Sequence, residues 1–153
     1  ISGLIGGESS ATSTWTVTTD NTAGYTLSIK ATTSPALHNG TSFFADYTPA
    51  TSNPDFDFAI SNTDSEFGYS PTGADIVTRF KDNGTTCNTG SGSTINACWD
   101  KFTTSNVSIA SSNSANSPSG TATSVVYKAK VGSSKIQDAG LYSASIVVTA
   151  VTL

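Results

Sequence analysis

Asp138-Ala139-Gly140-Leu141-Tyr142-Ser143-Ala144-Ser145-Ile146-Val147-Val148-Thr149-Ala150-Val151-Thr152-Leu153 joins a turn to the most β-prone run in the chain. It is rich in β-branched residues and free of proline, which favours a pleated strand over a helix. The strand period of two places Tyr142, Ala144, Ile146, Val148 and Ala150 on one face. Ser143, Ser145, Val147, Thr149 and Val151 fall on the other. The first face is the more apolar, so it is expected to look inward.

Just upstream, Asp138-x-Gly140-x-Tyr142-x-Ala144 resembles the tyrosine corner of immunoglobulin-like sandwiches, with Ala144 where antibody domains carry a cysteine. In those folds one more strand normally follows. Two outcomes are therefore open: a closing strand in a variant sandwich, or a sandwich one strand short that takes the missing strand from another subunit.

Working back towards Ile1, Thr121 to Val131 alternates, with Val125, Tyr127, Ala129 and Val131 on one face and Lys128 and Lys130 on the other. Before it lies a Ser/Asn-rich run from Ser111 to Ser119, expected as a surface loop, and a short strand at Val107-Ser108-Ile109. Further strands are expected at Ala74–Phe80, Glu66–Ser70 and Phe56–Ile60, the last with Phe56, Phe58 and Ile60 inward. Thr14–Thr19 and Tyr25–Ala31 flank the turn Asp20–Gly24 and read as a hairpin, with Trp15 and Val17 sharing a core face with Leu27 and Ile29. No helical period of useful length interrupts these runs. The expected fold is all-β: one antiparallel immunoglobulin-like β-sandwich of about eight short strands over residues 14–153, preceded by an extension at 1–13.

Composition agrees with that class. About a third of the 153 residues are Ser or Thr, 36% are hydrophobic and 12% are charged. The net charge of -4, with seven scattered basic residues, argues against nucleic acid as a partner, since phosphate binding needs clustered Lys and Arg. No apolar run is long enough to span a bilayer as a helix. The sequence starts at Ile1 rather than at a methionine, from which a removed leader is expected. Cys87 and Cys98 are the only cysteines, separated by ten residues of which all but Ile95 are polar or small; the pair reads as a disulfide made in an oxidising compartment, since a zinc site would need two more soft ligands.

Chemistry-bearing motifs are scarce. His38 is the sole histidine and has no nucleophile motif beside it, so no catalytic residue is assigned and no enzyme is expected. Asp55, Asp57, Asp64 and Glu66 supply hard oxygens of the kind calcium takes. Their alternation with Phe56, Phe58 and Phe67 equally describes the wet side of strands, and no metal or cofactor is assigned. Asn39, Asn83 and Asn106 open Asn-x-Ser/Thr sequons and are glycosylation candidates.

Trp15–Ala31, Phe80-Lys81-Asp82-Asn83-Gly84, Cys87-Asn88, Ala97-Cys98-Trp99 and Gly140-Leu141-Tyr142 together resemble a family of uncharacterised secreted Ser/Thr-rich proteins of ultrasmall, candidate-phyla bacteria. The resemblance covers most of the chain and implies a bacterial cell-surface setting without a mechanism. For a non-catalytic extracellular sandwich the reading favours a pilin-like subunit: copies of the chain polymerise by donor-strand complementation. Ile1, Leu4 and Ile5 are the donor residues and Ile146, Val148 and Ala150 the acceptor edge. The alternatives are a monomeric adhesin or carbohydrate-binding module, with glycans as partners, and an S-layer or cell-coat protein.

Overall fold

The computed structural model describes residues 5–153. It is an all-β, two-sheet sandwich, with nine strands where about eight were expected. The larger sheet runs in the order β1 (Glu8–Val17), β8 (Thr121–Val131), β5 (Ser65–Gly73), β4 (Ser42–Asp46) and β3 (Leu37–Asn39), and β6 (Asp100–Lys101) also pairs with β5. The smaller sheet has three strands in the order β7 (Val107–Ser112), β2 (Tyr25–Ala31) and β9 (Ile146–Thr152). Pairing is antiparallel except between β4 and β5. Among the described residues no helix is long and apolar enough to cross a membrane.

The core lies between the sheets. Leu27 and Ile29 of β2, Phe67 and Tyr69 of β5 and Val125 and Val131 of β8 are all buried there, with Trp15, Val17, Ile146 and Val148 packed against them. The inward set read from the alternation of β8 is thus the observed one, and for β9 Tyr142, Ala144, Ile146 and Val148 pack on the core while Ala150, expected with them, is exposed. At the corner, the Tyr142 hydroxyl donates to the Asp138 carbonyl at 2.9 Å, and its ring meets Phe44 edge-on at 5.1 Å. That bond is the tyrosine corner, and it fixes the direction in which the chain enters β9.

Three expectations require correction. Trp15–Val17 and Tyr25–Ala31 share the core but not a hairpin: β1 and β2 sit in opposite sheets, and the Asn21–Gly24 turn carries the chain across. Ten-residue β1 finds its match in eleven-residue β8, whose full row of donors and acceptors seven-residue β2 cannot offer. That pairing also draws residues 8–13, set apart above as extension, into the large sheet. Ala74–Phe80 is not a strand, since Ile76 makes one bridge to Ala110 before Thr78–Phe80 tightens into a 3-10 turn. Phe56–Ile60 is not a strand either. Asp55 bridges to Trp99, and the segment then folds over the outer face of the large sheet, where Tyr47, Phe58, Trp99 and Val126 form a second cluster. Gly68 permits this cover, because a Cβ there would stand 2.8 Å from Tyr47 Cβ and 2.9 Å from the Asp100 carbonyl.

Cys87 and Cys98 are joined, with Cα atoms 5.5 Å apart. The Trp99 ring turns away into the second cluster and keeps one bond to the cystine loop, from its indole N–H to the Asn96 carbonyl at 2.8 Å. Replacing both cysteines by serine is expected to lower the unfolding free energy by about 2–3 kcal/mol, the loop-closure entropy returned to the unfolded chain. Urea denaturation of the two forms checks the value.

Candidate assembly groove

β9 is an edge strand. Its register on β2 is unbroken from Ile146↔Ala31 to Thr152↔Tyr25. The bonds at its two ends, Thr32 N–H to the Ser145 carbonyl and Leu153 N–H to the Gly24 carbonyl, fix which groups face β2. Because bonded and non-bonded pairs alternate along an antiparallel ladder, Ser145, Val147, Thr149, Val151 and Leu153 turn their N–H and C=O groups to β2. Ile146, Val148, Ala150 and Thr152 turn theirs outward. Among the described residues this outer row has no partner. In the acceptor edge read from the sequence, Ile146, Val148 and Ala150 all turn their backbone groups out, and the side chains of Ile146 and Val148 pack on the core while Ala150 is exposed.

Across the sandwich from that edge lies β1. Directly opposed residues of an antiparallel pair share a face, so Ser9, Ala11, Ser13 and Trp15 stand beside Ala129, Tyr127, Val125 and Thr123 on the core side. Yet Ser9, Ala11 and Ser13 are exposed. Three strands in the small sheet do not reach over them. Both ends of the gap are defined by contacts. Ser9 and Ala11 line, with Leu37, Phe44, Tyr127 and Tyr142, a cavity of about 320 Å³. At the other end the Asn21 side-chain amide, four residues past β1, donates to the Leu153 carbonyl at 2.6 Å. β1 and β9 consequently run in the same direction, on either side of this opening.

Of the donor residues, Ile1 and Leu4 lie outside the described residues. Ile5 is 58% exposed, at a turn with Gly6, whose N–H bonds the Gly132 carbonyl at 3.2 Å. Nothing in the sequence singles out Ser9, Ala11 and Ser13 beyond being small residues in the register that Trp15 and Val17 continue.

The other candidates occupy separate places. Asp55 and Glu66 are not on a wet face: they are 2% and 8% exposed, because the segment after Tyr47 covers them. Burial alone would raise the Asp55 carboxyl, but the Thr51 hydroxyl and the amides of Ser52, Ala50 and Thr51 donate to it and hold it below its ordinary value. The Tyr47 hydroxyl adds a bond at 3.1 Å. Glu66 accepts from the Thr48 amide at 3.0 Å, and burial raises its carboxyl. Asp57 and Asp64 are exposed. Among the described residues no three His, Cys, Asp or Glu side chains converge as a metal would require. His38 pairs with Phe43 in the β3–β4 ladder and bridges to Ser143, so it serves as backbone in a sheet.

Asn106 is exposed on the turn before β7. Asn83 is exposed but accepts from the Thr85 and Thr86 amides, closing its own turn. Asn39 is half-buried, its side-chain amide packed on Gly140. Comparison of the chain with protein-family models, with curated proteins and with solved structures finds no match.

Proposed function

We propose that the protein is a structural subunit of an extracellular, pilus-like filament on a bacterial surface, built head-to-tail from copies of itself by donor-strand complementation. The observation that carries this reading is the unpaired outer row of β9 beside the exposed core-side residues of β1. An outward row of N–H and C=O groups on Ile146, Val148, Ala150 and Thr152 demands an extended partner. The floor beneath that partner is made of small side chains, Ser9, Ala11 and Ser13, which leave room for large ones. A strand entering from a neighbour satisfies both requirements, and because the contact uses different surfaces on the two copies it propagates. The Cys87–Cys98 bond supports an oxidising, extracytoplasmic compartment.

Electron microscopy tests the proposal. The full chain is expected to form fibres, and a variant lacking residues 1–5 to remain monomeric while unfolding at the same temperature, since β1 begins at Glu8. Fibres of ordinary length from the shortened chain would show that the donor lies elsewhere. Sheets would indicate a coat protein, and monomers from both forms a binding module.

A further inference from the structure

The tripeptide Asn-Gly-Thr occurs twice, as Asn39-Gly40-Thr41 and as Asn83-Gly84-Thr85. Its intrinsic chemistry is the same in both places. A backbone nitrogen that attacks the side-chain carbonyl of a preceding asparagine is least hindered when it belongs to glycine, which has no Cβ to crowd it. Any difference between the two copies therefore comes from the fold.

At the second copy the reacting groups are tied. Asn83 Oδ1 accepts from the Thr86 amide at 2.9 Å and from the Thr85 amide and hydroxyl, both at 3.1 Å. The nitrogen that would attack, that of Gly84, donates to Asp82 Oδ1 at 2.8 Å, and Asp82 is itself anchored by Thr94. Bringing Gly84 N to Asn83 Cγ breaks these bonds.

The first copy lacks such ties. Gly40 and Thr41 form the two-residue loop between β3 and β4, whose last pair is Asn39↔Ser42. His38 exchanges bonds with Ser143 at 3.0 and 3.1 Å, so the next carbonyl, that of Asn39, turns the other way, towards β4. The Gly40 N–H then points away from β4, and among the described residues it has no hydrogen-bond acceptor. Gly40 takes a φ of 59°, and nothing stands within 4 Å of where its Cβ would be, so the space beside the attacking nitrogen is open. The Asn39 side chain makes no hydrogen bond among the described residues either; its Nδ2 rests on Gly140, where a Cβ would stand 2.0 Å away.

We propose that Asn39 is a site of spontaneous covalent modification, at which the Gly40 nitrogen closes a succinimide on the Asn39 side chain while Asn83 is spared. In that step Gly40 N loses its proton and bonds to Asn39 Cγ, the Cγ–Nδ2 bond breaks, and ammonia leaves with the proton. Water then opens the ring, at one carbonyl to aspartate and at the other to isoaspartate, whose backbone runs through the side chain. Either product puts a carboxylate on the hairpin that bonds to the tyrosine corner, on the face shared with Ser42, whose hydroxyl donates to Asp138. The change marks the age of a subunit, independently of how copies assemble.

Peptide mapping by mass spectrometry reads it. In folded full-length chain kept warm at mildly alkaline pH, the Asn39 peptide is expected to gain one mass unit at least about tenfold faster than the Asn83 peptide, since breaking one or two hydrogen bonds costs about that factor in rate. An isoaspartyl methyltransferase is expected to label the first peptide and not the second. The same chain unfolded in guanidinium, with its disulfide reduced, is expected to convert both at similar rates. Equal or faster conversion at Asn83 in the folded chain overturns the proposal. So does an Asn39 peptide that stays unchanged in the folded chain while the unfolded one converts, or a bias that persists on unfolding. A mass gain at Asn39 that the methyltransferase does not label overturns the ring closure, because direct hydrolysis gives aspartate alone.

Discussion

Ala150→Pro stops filament growth and leaves the subunit folded: this is the expected result of removing one N–H from the outward row of β9. The amide of Ala150 makes no bond within its own sheet, because the ladder to β2 uses the groups of Val147, Thr149 and Val151. Proline is tolerated on an edge strand when its missing donor faces away from the ladder, and Thr149 before it is already extended. The stability lost is expected to be about 1 kcal/mol or less, a shift of a few degrees in thermal unfolding. On the proposed strand donation, assembly is expected to fall by more than tenfold, because the proline ring also stands where the incoming strand would lie. Val151→Pro is the control. It removes a donor that the ladder to Thr26 uses, so it is expected to destabilise the subunit more than Ala150→Pro does. Turbidity and electron microscopy measure growth, and circular dichroism melting measures the fold. Normal fibres from folded Ala150→Pro would remove β9 from the assembly contact.

Asp55→Ala is the second large effect, and it acts on stability. One buried carboxylate here gathers the Ala50, Thr51 and Ser52 amides, the Thr51 hydroxyl and the Tyr47 hydroxyl. Removing it strands several donors under the cover of the large sheet, for a loss of about 3 kcal/mol. For a chain of this length that corresponds to a fall of roughly 10 °C in Tm. The same groups set the response to acid. Asp55 and Asp82 are held below their ordinary value of 3.8: burial opposes this in both, and donors outweigh it, for Asp82 the Thr94 and Gly84 amides and the Thr94 hydroxyl. A carboxyl depressed in the folded state contributes stability that is present above the unfolded value and lost as pH falls through the folded one. Stability is therefore expected to decline below about pH 3.8, and Asp55→Ala to flatten that decline. Glu66, raised by burial, acts in the opposite sense: its contribution is complete below its ordinary 4.5 and lost as pH rises through its folded value. Denaturant midpoints from pH 2 to 7 for the two proteins test the sign, and an acid slope unchanged by Asp55→Ala would contradict it.

Some of this architecture is legible in the residues and some is not, for physical reasons. β8 and β9 could be read because one face of each meets the core, so alternation carries their orientation. The disulfide could be read because two cysteines allow one pairing. Alternation does not report sheet membership, however. Trp15 and Val17 obey the same rule whether Leu27 and Ile29 lie beside them or across the core, and here they lie across it. Segment 47–60 was harder still, since a loop that covers a sheet satisfies its amides locally, and Asp55 looks in sequence like any solvated aspartate. The floor of the opening was silent for the opposite reason: Ser9, Ala11 and Ser13 carry no apolar signal, and their inward register is visible only once β8 is placed beside them.

The pairing of Glu8 with Lys130 and of Val17 with Thr121 spans nearly the whole chain. A polypeptide made or exported from its amino-terminal side presents β1 long before its partner exists. At roughly 5–20 residues per second, synthesis of the intervening hundred or so residues takes on the order of 5–20 s. Throughout that interval β1 has no ladder partner, and the large sheet cannot form around it until Thr121–Val131 has emerged. Formation of the large sheet is thereby timed by a late event, the arrival of Thr121–Val131.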